Sequence, residues 1–321
     1  MRFLQFIASA AMVVFAAAPL AAQQQYPAKT VKIVVPFAAG SSTDTLARVV
    51  ARDLERQLGH PFIIENKAGA DGQIAAQMVA GSDPDGYTLF VTTHTSQAAN
   101  VSLYKKLPYD PLKDFTPISR LTSGQFILAV HPSLPVKSVD ELVKYLRENP
   151  GKITYATANA TSTVAMAWLA ALKNLEVIRV NYVSAPRAVA DLLAGHVQMT
   201  FGDQANVAPP VQEGQLRGLA VTGATRSDLV PSLPTLREAG INEMVLNSWA
   251  AIYGPAKMPP AIVATLNKAV LEAYRQPQVI KALKAAGYDL VTSTPEELGA
   301  FNKQQIEVWR SAVELGKIEQ R

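Results

Sequence analysis

The chain has 321 residues, 49% of them hydrophobic, with 30 Lys and Arg against 26 Asp and Glu, 4 His and no cysteine. That length predicts two domains of ~100–200 residues rather than one. The absence of cysteine excludes a disulfide framework and thiolate metal sites, the scattered histidines (His60, His94, His131, His196) lack metal-ligand spacing, and the dispersed basic residues give no nucleic-acid motif.

The N-terminus begins with Arg2, an apolar run from Phe3 to Ala18, the small-residue stretch Pro19-Leu20-Ala21-Ala22 and the polar Gln23 to Gln25. This order predicts a secretory signal over residues 1–22, too short to serve as the ~20-residue span of a membrane anchor. No later stretch is apolar enough to cross a bilayer, so an exported chain starting at residue 23 is expected to rely on its own core.

Strand and helix patterns then alternate. Val31 to Phe37 is a near-continuous apolar strand, the signature of burial on both faces. Leu46, Val49, Val50 and Leu54 mark a helix ended by Gly59, followed by a short strand at Ile63-Ile64, a helix from Gln73 to Ala80 and a turn at Asp83-Pro84-Asp85-Gly86. Strands are expected at Tyr87–Thr93, Phe126–Val130, Ile153–Ala156, Val177–Tyr182, Val197–Phe201 and Gly218–Val221. Helices between them cover Ser138–Glu148, Ser162–Leu172, Arg187–Ala194 and Asn206–Glu213. The last third holds one strand, Asn247–Tyr253, and helices over Pro259–Gln276, Pro277–Ala286 and from a capping box at Thr294-Pro295-Glu296-Glu297 to Leu315. The alternation predicts an α/β protein with parallel sheets covered by helices. The helix-rich C-terminus is expected to pack back on the N-terminal half.

Two loops stand out. Pro36-Phe37-Ala38-Ala39-Gly40-Ser41-Ser42-Thr43-Asp44 joins the first strand to the first helix, at the carboxyl end of a strand where parallel sheets bind ligands. Gly40 permits a tight turn, and the free N–H groups and positive dipole end of the helix start attract an anion. Tyr155 through Val164 repeats this logic in the second half with Thr157, Ala158, Asn159, Thr161, Ser162 and Thr163. Each loop taken alone is equally a helix cap; as a pair they offer two helix starts to one ligand across a cleft. His94 and Thr95, after the strand at Tyr87–Thr93, are expected to line that cleft, where His94 is either a hydrogen-bond donor to a ligand carboxylate or only a capped loop residue, and Phe37 either fences the ligand or packs in the hinge.

Several segments resemble the Bug (Bordetella uptake gene) family, the substrate-binding proteins of tripartite tricarboxylate transporters. They run from Tyr26-Pro27 and Val31 to Gly40, through Glu65-Asn66-Lys67-Ala68-Gly69-Ala70-Asp71-Gly72, Pro84-Asp85-Gly86-Tyr87-Thr88-Leu89, Leu103-Tyr104, Leu107-Pro108-Tyr109-Asp110-Pro111 and Asp114-Phe115. They continue through Asp191-Leu192-Leu193-Ala194-Gly195, Leu216 to Thr222 and Val230 to Thr235, nearly the whole exported chain in order. The resemblance implies a type II periplasmic-binding-protein fold with two α/β lobes around a central cleft: residues 23–121 with 248–321, and residues 122–247. It also implies a periplasmic, non-enzymatic, monomeric protein that needs no cofactor. Such a protein captures a small carboxylate, a di- or tricarboxylate or an aromatic acid, for integral-membrane transporter subunits. Main-chain N–H groups of loops 36–44 and 157–164 would grip the acid, with Asp44 and Asp203 at matching polar positions.

The chain departs from the family pattern at Ala39-Gly40-Ser41, where Ala-Gly-Gly is common, and at Asn159 and Thr161, which replace glycines. Ala165 and Leu169 stand where His and Glu are usual, and Tyr182-Val183-Ser184 where Tyr-Lys-Gly is. These changes predict a ligand body less polar than citrate. Two other functions fit less well. A serine hydrolase lacks a G-x-S-x-G elbow, although Ser41, Ser42 and His94 offer hydroxyls and a base. A ligand sensor for a membrane signalling kinase would use the same fold and site.

Overall fold

The structure is a computed structural model that describes residues 26–321; the expected signal at residues 1–22 lies outside them. In chain order the elements are β1 (Val31–Val35), α1 (Ser42–Leu58), β2 (Phe62–Asn66), α2 (Gln73–Ala80), β3 (Thr88–Thr93), a wide turn over Thr95–Ala99, α3 (Asn100–Leu103) and β4 (Phe115–Val130). Then come α4 (Val139–Glu148), β5 (Thr154–Thr157), α5 (Ala160–Lys173), β6 (Ile178–Asn181), α6 (Ala185–Leu193), β7 (Met199–Asp203), α7 (Gln204–Gln212) and β8 (Arg217–Val221). The chain closes with β9 (Asn247–Pro255), α8 (Pro260–Ala273), α9 (Pro277–Ala285), β10 (Asp289–Leu290) and α10 (Pro295–Leu315). Among the described residues no helix is long and apolar enough to cross a membrane.

The strands lie in the order β2-β1-β3-β9-β4-β7-β5-β6, with β8 and β10 also paired to β4. β1 is parallel to β2 and β3, and β5 is parallel to β6 and β7. β4 is the link between halves. Its first part, Phe115 to Gln125, pairs antiparallel with β9; its last part, Phe126 to Val130, pairs with β7 and β8. At the change of partner the Phe126 N–H donates to Thr222 Oγ1 (2.9 Å), and the Thr222 hydroxyl donates to the Leu246 carbonyl (2.6 Å). The chain thus passes between the two halves of the sheet at two adjoining points, near Gln125–Phe126 and near Leu246–Asn247.

Period-2 alternation puts Val31, Ile33 and Val35 of β1 on one face, where they pack with Leu46, Val50 and Leu54 of α1, Leu266 and Val270 of α8 and Leu283 of α9. The C-terminal helices therefore return to the first lobe. In the second lobe Ile127, Ala129 and Ala156 pack with Leu192 of α6 and Val207 of α7. The largest cluster joins the lobes: Val34 and Phe90 of the first continue through Trp309 of α10 to Leu128, Val164 and Trp168 of the second. Trp309 is wholly buried. Trp309→Ala should cost about 3–5 kcal/mol, read as a lowered urea midpoint in equilibrium unfolding.

Candidate ligand-binding cleft

Loops at the carboxyl ends of β1, β3, β5 and β7 meet at one cavity between the lobes, the position where open α/β sheets bind ligands. Its interior space is about 60 Å³, well under the ~300–1,000 Å³ of small-molecule sites, so the lobes stand close together around it. Phe37, Leu46, Trp249 and Tyr288 supply apolar wall, and Ser42, Thr93, Ser123 and Ser248 supply hydroxyls; among the described residues no Lys or Arg lines it.

Three helix starts bring partial positive charge to the cavity wall. α1, α6 and α7 each begin at its wall. The first N–H groups of a helix have no intrahelical acceptor. In α1 the Asp44 N–H is capped by Ser41 Oγ (3.3 Å) and Thr45 bonds Ser41, which leaves the N–H groups of Ser42 and Thr43 without an acceptor among the described residues. In α6 the first return bond is Ala188 to Ser184, so Ala185 keeps its N–H free beside Pro186. Gln204 and Ala205 are in the same position at the start of α7. α5 behaves differently. Its lining residues Ala158 and Asn159 both donate their N–H groups to Ser162 Oγ (3.0 and 3.3 Å), so this helix offers the cavity its Asn159 side chain instead.

The residues singled out from sequence therefore fall into distinct places. Phe37, Ser41, Ser42, His94, Thr95, Ala158, Asn159 and Asp203 line the cavity. Ala39 and Gly40 form the exposed outside of the first bend, where Gly40 takes φ +79°, the left-handed region glycine favours. Thr157 and Thr163 line an adjoining groove that also holds Arg179 and Arg321. Thr161 and Ser162 are buried, Thr161 bonding His94 and Ser162 closing the capping box of α5. Sequence patterns missed Ser184, Ala185, Gln204, Ala205 and Tyr288; Ser184-Ala185-Pro186, a cap residue followed by an early proline, was the available signal for α6.

Two expectations need correction. Asp44 stands behind the first loop rather than in the cavity. Its Oδ2 accepts from the Gly40 N–H (2.9 Å) and Arg48 Nε (3.0 Å), and its Oδ1 accepts from Asn66 Nδ2 (2.9 Å). Burial pushes its carboxyl up, but these bonds outweigh burial and hold it below the usual carboxylate range. Asp44 thus fixes the bend that presents Ser42 and Thr43. His94 borders the cavity, yet both ring nitrogens are engaged within the protein. Nδ1 accepts from the Trp249 N–H (3.3 Å), which leaves the proton on Nε2, bonded to Thr161 Oγ1 of the other lobe. The ring stacks on Trp309 at 4.9 Å and 7°. Complete burial pushes its pKa down to about 3, so the ring is neutral.

Among the described residues no group of three or more His, Asp or Glu is arranged to hold a metal. Comparison with known proteins fits this organic-ligand geometry. The model of the tripartite tricarboxylate transporter family receptor matches residues 46–316. The chain belongs to this receptor family. It is 34% identical to protein BugT of Bordetella pertussis, over 96% of this chain and 94% of that one. In structure it resembles an R. palustris protein solved with adipate (TM-score 0.88, 31% identity, 92% of this chain and 100% of that chain). It also resembles MatC from Rhodopseudomonas palustris with bound malate (TM-score 0.85, 32% identity, 90% and 100%).

His94 makes the stability of this receptor acid-sensitive. As pH falls below 6.5, the unfolded chain takes a proton that the native ring refuses until about pH 3, so stability is lost across that window. Asp203, with a folded value raised to about 6 by burial, has the opposite sign: its contribution is present at low pH and lost as pH rises through 6. Subtracting a His94→Gln variant isolates the histidine. Wild type should lose about 2 kcal/mol relative to that variant between pH 7 and pH 5, measured by urea unfolding at both values.

Proposed function

We propose that this receptor captures a small carboxylate in the cavity between its lobes and presents the closed form to integral-membrane transporter subunits. It does so in the periplasm, after loss of a signal at residues 1–22. The observation that carries this reading is the set of acceptor-free N–H groups at Ser42, Thr43, Ala185, Gln204 and Ala205, facing a cavity with no Lys or Arg. A carboxylate there accepts charge-assisted bonds and lies at the positive end of three helix dipoles. The malate and adipate in the two R. palustris neighbours support the same ligand class. We place the lobe boundaries at the crossing points near Gln125–Phe126 and Leu246–Asn247, slightly later than residue 121 at the first, and take these as the hinge. Hydrolysis finds no support: the nitrogens of His94 serve Trp249 and Thr161, so no base stands ready for Ser41 or Ser42.

Ser42 gives a direct test of main-chain binding. It is the first residue of α1, and Ser41 before it has φ −66° and ψ 160°, a conformation that tolerates a following proline. Ser42→Pro removes one N–H with little strain. In a thermal-shift screen of dicarboxylates, tricarboxylates and aromatic acids, a true ligand at ~100 times its Kd should add ~2.7 kcal/mol of stability. For that ligand Ser42→Pro should weaken binding about tenfold or more, and Ser42→Ala, which keeps the N–H, about threefold or less. Equal affinities in the two variants would remove the α1 amides from the site.

A further inference from the structure

The cavity holds one carboxylate that has no cation. Asp203 ends β7 and takes the cap position of α7, but its side chain makes no capping bond to that helix. Asn159 Nδ2 donates to its Oδ2 at 3.1 Å. The neighbouring elements bring no positive group. The start of α6 contributes Ser184 and Ala185, and its Arg187 is turned to Asp191 (3.4 Å). The segment after α9 brings Tyr288, whose hydroxyl donates to the Ser42 carbonyl, and Asp289, whose Oδ2 accepts from Gln204 Nε2 (2.9 Å). His94 is neutral, and Asp44 lies behind the first loop with its oxygens already bonded. Gln204 cannot turn to Asp203 without losing Asp289 and the bond its Oε1 accepts from Ser227 (2.9 Å).

A carboxylate so placed is costly unless it is paired, and a second carboxylate brought beside it raises the cost. A ligand that offers an acid group to the free N–H groups and a donor to Asp203 resolves both. Building on the carboxylate reading, we propose that Asp203 is the specificity-determining residue of this receptor and that it selects acids bearing a hydrogen-bond donor, an amino or hydroxyl group, over the unsubstituted acid of the same skeleton. The starts of α1, α6 and α7 hold the acid group, and Asp203 reads the substituent.

Titration calorimetry with two matched series tests this: succinate, malate and aspartate, and 3-phenylpropionate, 3-phenyllactate and phenylalanine. Wild type at pH 7.5 should bind a substituted acid at least tenfold tighter than its parent. Asp203→Asn should reduce that ratio to threefold or less. Because burial holds Asp203 near pH 6, lowering the pH to 5.5 should shrink the preference for the amino acid in wild type as well, which gives a readout independent of how the variant folds. Equal affinity for parent and substituted acids in wild type, or a preference unchanged in Asp203→Asn, overturns the role of Asp203 while leaving carboxylate capture intact. Failure of all six acids to bind folded wild type overturns the carboxylate reading, and this inference with it.

Discussion

The proposed site depends on main-chain N–H groups that the helices themselves cannot satisfy. An α-helix leaves its first amides without acceptors, and a protein normally caps them with side chains or water. Here three helices start at one cavity and leave the N–H groups of Ser42, Thr43, Ala185, Gln204 and Ala205 uncapped. Such donors are fixed by the backbone and lose no rotamer freedom on binding, unlike Lys or Arg side chains, which each carry about 2 kcal/mol of rotamer entropy. Supporting groups keep the geometry: Asp44, Asn66 and Arg48 brace the first bend, and Ser162 takes up the Ala158 and Asn159 N–H groups.

The lobes are in contact around this space. Gln204 of the second lobe bonds Asp289 of the first, and Thr161 bonds His94. Gly287 approaches Ala205 so closely that a Cβ on the glycine would lie 2.8 Å from the Ala205 Cα; its φ of +82° also favours glycine. Each of these contacts lies beside the cavity. His94 is the most committed of them, because its neutral ring is sealed between Trp309, Trp249 and Phe126. Its place in the cleft is therefore structural, a polar link in the apolar seam between the lobes.

Much of the fold was legible because each lobe alternates apolar strands with capped helices, and Ser138, Thr294 and Gly59 mark helix ends as the sequence suggests. The long first part of β4 was not legible. Phe115 to Gln125 contains Pro117 and Gly124, and its register with β9 slips between Pro117 and Ser119 and again between Arg120 and Thr122. Each slip breaks the period-2 pattern by which a strand is recognised. The first loop was legible for its glycine and hydroxyl residues. The start of α6 carried a mark in Ser184-Ala185-Pro186, whereas the start of α7 did not, since a free N–H belongs to any residue and leaves no mark in the side-chain code. The same limit hid the roles of Asp44 and His94: a polar residue beside a loop reads alike whether it faces ligand or braces the backbone.

Amide chemical shifts of the 15N-labelled protein, followed as a bound carboxylate is titrated in, measure the central claim directly. The largest shifts should fall on the N–H groups of Ser42, Thr43, Ala185, Gln204 and Ala205. If those five stay unmoved while amides around Arg179 and Arg321 in the adjoining groove shift, the acid is held by side-chain cations there, and the helix starts do not form the site.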